Sequence, residues 1–404
     1  MKSSSPVVGR LGRFEFIALV AALIAINAFA IDIMMPGLQQ IGAGLGEPDA
    51  NRRQLVIPAY MLGFGILQIV FGPLSDRYGR RKPLLVGLIV YCLAALSAYA
   101  VVDFNSLVVL RLIQGAGAAA SAVIATALVR DIFVGNEMAK TMSLVFMVLM
   151  LSPIFAPGLG QLLLVVLDWR GLFLFMALLG TLVTLWVWLR LPETLKPENK
   201  RPFGLKAVVE GFGIVFSNRV ALGYIMATSL LFGGLIGFLT SSQQIYVGVY
   251  NVGLWFPAFF AAGGAISAVG GFTNSQLVSS HGMQRISFLA LNAFCAAAAV
   301  MLLLGYLQAL PVWLFFALSA GWFFTFSMIM PNFGALAMEP LGEVAGTAAS
   351  AQGFLQMVLG TGIGALIGQM FNNTTIPLAT GMLVLSLVAM GLTGVAGQER
   401  TRRA

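Results

Sequence analysis

Stretches of about twenty apolar residues recur along the whole 404-residue chain, separated by short polar loops. Twenty is the number an α-helix needs to cross the hydrocarbon core of a bilayer. About twelve can be counted, at residues 14–35, 53–74, 83–102, 104–126, 140–164, 169–191, 219–242, 251–273, 284–306, 310–332, 344–370 and 376–396. Lipid offers no hydrogen-bond partners, so segments of this kind must satisfy their backbones internally, and helices do so. The predicted class is an all-α membrane protein of twelve transmembrane helices. Composition agrees: 9% of residues are charged, against roughly 25% in soluble domains. The first stretch follows Lys2, Arg10 and Arg13, as in a signal peptide. Its apolar run is too long for one and lacks a clear A-x-A cleavage site, so it reads as a retained helix.

The net charge of +8 sets orientation instead of pointing to nucleic acid, because the basic residues sit in loops between apolar runs. With the N-terminus placed in the cytoplasm, only Arg52, Arg53 and Arg170 of the 23 basic residues fall on the opposite side, and Arg111 falls within a span. The positive-inside rule then predicts that both termini are cytoplasmic. Other chemistries lack their residues. Cys92 and Cys295 lie in apolar runs and read as buried hydrophobes, while a single histidine, His281, cannot build a metal site. No Gly-Lys dipeptide occurs, which excludes a G-x-x-x-x-G-K-[ST] phosphate loop. The expectation is a chain with no catalytic residues, cofactor or metal that is driven by something other than nucleotide.

A hydrophilic stretch at residues 192–218 divides the chain near its middle. It predicts an N-terminal six-helix half (1–191), a cytoplasmic linker (192–218) and a C-terminal six-helix half (219–404). The loop GPLSDRYGRRK after the second span is echoed by NSQLVSSHGMQR after the eighth, keeping little beyond Gly282 and Arg285. Two similar helical halves around a midplane site recur among secondary transporters.

The most specific motif runs from Gly72 to Pro83, GPLSDRYGRRKP. It resembles the G-x-L-a-D-R-x-G-R-[RK] signature of the major facilitator superfamily at every defining position. The resemblance implies that Gly72, Asp76, Arg77, Gly79 and Arg80 form a conformational latch and not a substrate site. Further stretches resemble the twelve-helix drug/proton antiporters of the bicyclomycin and chloramphenicol resistance branch: Ala30–Pro36 (AIDIMMP) in the first span, Arg111–Gly117 (RLIQGAG) in the fourth, and Ala337–Ala348 (AMEPLGEVAGTA) before the eleventh. In the fifth span Ser152–Gln161 (SPIFAPGLGQ) resembles the antiporter G-P-x-x-G-G motif through Pro153, Pro157, Gly158 and Gly160. It departs from that motif at Ala156 and Gln161.

A charge inside a span is costly and marks function by default. Asp32 lies near the outer end of the first span. Arg111 lies about seven residues into the fourth from the same side, roughly 10 Å at 1.5 Å per residue. Asp32 is expected to couple protons, with Arg111 tuning it directly or through neighbours such as Gln114; an ion pair that is only structural is the alternative reading. Met35, Tyr60, Gln114, Met150, Phe232, Tyr246, Trp255, Asn332, Gln352 and Gln356 are candidate substrate-lining residues, polar, aromatic or soft enough to suit varied ligands. Pro153 and Pro157 would kink the fifth helix. Gly233/Gly237 and Gly360/Gly364/Gly368 read as close helix packing.

These features predict a proton-driven exporter of small, largely apolar compounds across the bacterial inner membrane. Its expected partners are protons, a small-molecule substrate and lipid, without nucleic acid, and the chain is expected to work as a monomer. Export of an endogenous metabolite such as a nucleoside or sugar is the alternative. Where multidrug relatives carry a further acid in the first helix, this chain has Ile24 and Ala25, which favours neutral or zwitterionic substrates.

Overall fold

A computed structural model describes residues 11–133, 135–195 and 212–403. Among the described residues there are twelve long helices: α1 (Arg13–Asp32), α2 (Val56–Tyr78), α3 (Arg81–Tyr99), α4 (Phe104–Ile132), α5 (Gly135–Val166), α6 (Arg170–Arg190), α7 (Arg219–Gln243), α8 (Phe256–His281), α9 (Met283–Tyr306), α10 (Val312–Met338), α11 (Ala345–Gln369) and α12 (Ile376–Arg403). Several outrun their apolar windows. α4 continues six residues past the predicted end and α8 eight, and most of the stretch read as the loop NSQLVSSHGMQR is the last two turns of α8. The turn itself is Gly282 at φ +76, a left-handed conformation that only glycine adopts freely. Hydropathy marks where a helix is apolar, whereas backbone hydrogen bonding carries it onward through polar residues into the interface.

Helix starts follow local chemistry. Asp103 accepts the Ser106 N–H at 2.9 Å, and Asn218 accepts those of Val220 and Ala221; such caps satisfy donors that the first turn leaves unpaired. The bonds to Ser106 hold the Asp103 carboxyl below the usual carboxylate range. α5 runs as one helix through Pro153 and Pro157; the Pro153 side chain itself lies outside the described residues.

The helices gather into two compact units. The described residues of Met1–Pro48 and Ala59–Gly204 form the first, and those of Asp49–Pro58 and Leu205–Ala404 the second. Within the first, α1 packs against α4, α5 and α6, α3 against α4 and α6, and α5 against α4 and α6. Within the second, α7 packs against α10, α11 and α12, α9 against α10 and α12, and α11 against α10 and α12. Adding six to each helix number in these first-unit pairs gives the second-unit pairs, where α8 also packs against α9 and α10. Asp49–Pro58 joins the second unit through amides: Asn51 donates to the carbonyls of Gln369 and Phe371 at 2.9 and 2.8 Å, and the Gln54 and Gln244 side chains meet.

Small residues set the close crossings. A Cβ on Gly63 would strike the Leu112 backbone, and one on Gly115 the Tyr60 carbonyl, so α2 and α4 touch main chain to main chain. In the second unit Gly364 comes within 2.8 Å, measured from such a Cβ, of the Gly233 carbonyl, bringing the two glycine stripes of α7 and α11 together. Outer faces are apolar: Leu174, Leu178, Leu182, Leu185 and Leu189 of α6 are exposed at helical spacing, as lipid contact requires. Gly115→Ala should cost about 2 kcal/mol or more through overpacking against rigid backbone. Gly391→Ala, with open space around its Cβ, should leave stability level or slightly raised. Thermal unfolding of the two variants in detergent compares them directly.

Candidate functional site

Pro36 determines where α1 stops. It has no N–H for the carbonyl four residues back, that of Asp32, and its ring obstructs a continuing helix. α1 accordingly ends at Asp32, and the chain passes through a 3-10 turn at Met35–Gly37 before a short helix at Leu38–Gly44. This break places the Asp32 carboxylate inside the first unit at 5% exposure, where Ser152 of α5 donates to its Oδ2 at 3.3 Å.

Arg111 of α4 is fully buried. Its guanidinium donates to the Ala30 carbonyl at 2.8 Å and to Gln114 Oε1 at 2.9 Å, and it stands over the Tyr60 ring, 4.5 Å from the centroid. Among the described residues the Asp32 carboxylate has no bond to Arg111; the arginine grips α1 two residues upstream, through main chain. The network extends in both directions. Gln114 reaches Met176 Sδ of α6 at 3.8 Å. Tyr60 donates to Asn27 Oδ1 at 3.2 Å, and Asn27 donates to Ser121 at 2.8 Å. Asn27, Ser121 and Ser152 were not singled out from the sequence as polar partners. Their only signal is a small polar residue inside an apolar helix, which the sequence offers at many places.

The remaining candidates divide between the units. Met35, Tyr60 and Gln114 are buried in the first, and the Met150 side chain lies outside the described residues. In the second, Phe232 is half-buried on α7 against Gly360, and Gln352 and Gln356 are half-buried on α11. Tyr246 is buried in the π-helical turn Gln244–Val249 that follows α7, with its ring stacked on Phe259 at 5.1 Å and edge-on to Phe315 at 5.2 Å. Trp255 stands in a 3-10 turn before α8 with 72% of its surface exposed, outside the helix where the sequence placed it. Asn332 of α10 is engaged with Asn274 of α8 in a reciprocal amide pair at 2.8 and 3.2 Å. Alanine at either position strands the other amide and should cost about 1–3 kcal/mol. The double variant should cost less than the sum, a cycle readable by thermal unfolding.

The two interiors differ in chemistry. The first holds Asp32, Arg111 and their polar partners. The second holds rings: Trp322 contacts Phe238, Phe294, Phe323 and Phe326 at centroid distances of 5.0–6.2 Å.

At the α2–α3 turn Arg80 is almost fully buried, and its guanidinium bonds Asp76 at 2.5 Å, Ser75 at 2.8 Å and Asp131 of α4 at 2.8 Å. Burial alone would lower the Arg80 guanidinium, but the bonds to Asp131 and Asp76 outweigh it and hold it above its ordinary value. Arg77, by contrast, is exposed and lies over Tyr78. Gly79 turns the chain at φ +92. In α5, Pro157 and Gly160 are buried, and Gly160 lies against the Ile33 carbonyl and the Pro36 ring just past the end of α1; around Gly158 there is open space.

Among the described residues, twelve long helices, eleven of them long and apolar enough to cross a membrane, packed into two units define a polytopic membrane transporter, not an enzyme. The family model of the Major Facilitator Superfamily matches residues 17–365, and the chain belongs to that superfamily. It is 31% identical over 382 residues to the bicyclomycin resistance protein homolog of Haemophilus influenzae, covering 93% of this chain and 95% of that one. It is 28% identical to multidrug resistance protein D of Escherichia coli, covering 94% and 93%. Among solved structures it is similar to a bacterial homolog of the human lysosomal transporter Spinster, with a TM-score of 0.71 at 16% identity over 95% of both chains. The Escherichia coli xylose transporter XylE gives 0.73 at 11% identity over 94% and 96%. At these identities the structures show the fold alone.

Proposed function

We propose that this protein exports small, largely apolar, drug-like compounds across the bacterial inner membrane in exchange for protons, by alternating access, with both termini cytoplasmic and the chain acting as a monomer. The observation that carries the reading is Asp32: a carboxylate buried at the proline break of α1, with Ser152 donating to it and Arg111 holding the backbone two residues away. A buried acid in a membrane-length helix is costly and marks function by default. Proton uptake on one Asp32 oxygen neutralises the group, and its release on the other side restores the carboxylate. The six-helix halves, residues 1–191 and 219–404 joined by the linker at 192–218, give the substrate access to each side of the membrane in turn, with Gly72, Asp76, Arg77, Gly79 and Arg80 as latch.

The relatives' printed names, for bicyclomycin and multidrug resistance, support a drug-like substrate. The aromatic interior of the second unit is in keeping with an apolar, neutral one. Met35, Tyr60, Gln114, Met150, Phe232, Tyr246, Trp255, Asn332, Gln352 and Gln356 remain the proposed substrate contacts, although Tyr60, Gln114 and Asn332 must exchange internal bonds to serve. The test is transport by purified protein in proteoliposomes under an imposed pH gradient, with bicyclomycin, chloramphenicol and a cationic dye as probes. Gradient-dependent movement of the neutral drugs is the expected result. Movement of none of them under any gradient would overturn the drug reading in favour of a metabolite.

A further inference from the structure

The carboxylate of Glu193, just beyond α6, occupies a place that the transport reading leaves without a role. Its Oε1 accepts the Arg80 N–H at 2.7 Å and the Leu195 N–H at 3.0 Å, and its Oε2 accepts the Arg81 N–H at 3.2 Å. Arg80 and Arg81 open α3, so Glu193 places a negative charge on unpaired N–H groups at the positive end of that helix dipole. Gly79 admits it: the left-handed φ requires glycine, and a Cβ there would overlap the carboxylate.

The next residue continues the attachment. Thr194 donates to Asp131 Oδ2 at 3.1 Å, and the same oxygen receives Arg80 Nε at 2.8 Å. Arg81 also reaches back to the Trp188 carbonyl near the end of α6. Two consecutive residues at the start of the 192–218 stretch are thus bonded to this corner, Glu193 to the α2–α3 turn and Thr194 to Asp131 of α4, the carboxylate that also holds Arg80. The turn at Gly282 in the second unit shares the left-handed glycine.

We propose that Glu193 is a positioning residue for the transport cycle: it fastens the start of the interhalf linker to the α2–α3 latch, so that the two shift together. It then governs how fast the protein exchanges conformations and not how tightly it holds substrate. This rests on the alternating-access reading above.

The test compares full-length wild type with Glu193→Gln, Glu193→Asp and Thr194→Val. One readout is the split of kcat and KM in proteoliposomes; the other is the distance distribution between spin labels placed on the two halves of purified protein in nanodiscs. In Glu193→Gln one acceptor becomes a donor facing the Arg81 N–H. That should lower kcat on the order of tenfold, the loss of one charge-assisted bond, with KM within about twofold of wild type and a shifted distance distribution. Glu193→Asp, which keeps the charge on a shorter stem, should recover part of the loss, and Thr194→Val should fall between it and wild type. Wild-type kcat and distances in Glu193→Gln at wild-type thermal stability would overturn the proposal, as would a change in KM alone. If Glu193→Gln fails to fold, Glu193→Asp at wild-type kcat and distances overturns it equally. If wild type moves no probe under any gradient, the export reading fails by itself, while the distance measurement still tests Glu193.

Discussion

Asp32→Asn is expected to abolish proton-driven accumulation while leaving the protein folded and able to bind substrate. Asparagine keeps the shape and can still accept from Ser152 through its amide oxygen, but it carries no exchangeable charge. Each coupled proton draws about 2.3 kcal/mol from a 100 mV potential, which corresponds to about a fiftyfold concentration ratio. In proteoliposomes that ratio should collapse to unity in the variant, and the pH dependence of transport should flatten, with thermal stability and substrate affinity near wild type. Retained accumulation would move the proton site away from Asp32 and leave the exporter reading standing.

Arg111→Ala should have the second largest effect, acting first on the fold. It removes a buried guanidinium from the Ala30 carbonyl, the Gln114 amide and the face of Tyr60. Each bond involving a charged group is worth roughly 1.5–3 kcal/mol, so a loss of about 3 kcal/mol is expected. Arg111→Lys separates structure from coupling. Lysine keeps the charge but offers a point donor in place of a planar fork, so it cannot hold both acceptors and stack on Tyr60 as the guanidinium does. It should fold, with transport lowered about tenfold because Asp32 is no longer held in register. Full transport in Arg111→Lys would leave the arginine a structural role alone. Thermal unfolding with initial rates on the same preparations decides between these.

The two predictions converge because the structure ties the charges together indirectly. Pro36 ends α1 at Asp32, and Arg111 fixes the same turn through Ala30. Ser152 and the Gly160 crossing anchor that turn to α5, so three helices of the first unit converge on one acid.

Much of the architecture was legible because membrane physics leaves few choices. A twenty-residue apolar run has one fold available, and the glycine stripes of α7 and α11 have one common use, which the crossing at Gly233 and Gly364 shows. Helix ends were misjudged where polar residues stay helical, as in α8 through His281. The Gly72–Pro83 motif was visible in the sequence, but the motif does not say that Arg80 is buried between Asp76 and Asp131 while Arg77 faces out.

The sequence by itself determined the number and class of helices, the residues able to carry charge into them, and the family signature, because these follow from composition and local spacing. Only the tertiary structure decided which partners those residues keep. Asp32 bonds Ser152, 120 positions away; Asn332 is paired with Asn274 across α8 and α10; and Glu193 returns to cap a helix that begins 112 positions earlier. Pairings at such separations depend on the rotation and depth of each helix against its neighbours. These are set by main-chain contacts such as Gly63 on Leu112 and Gly115 on Tyr60, and no local pattern in the chain encodes them.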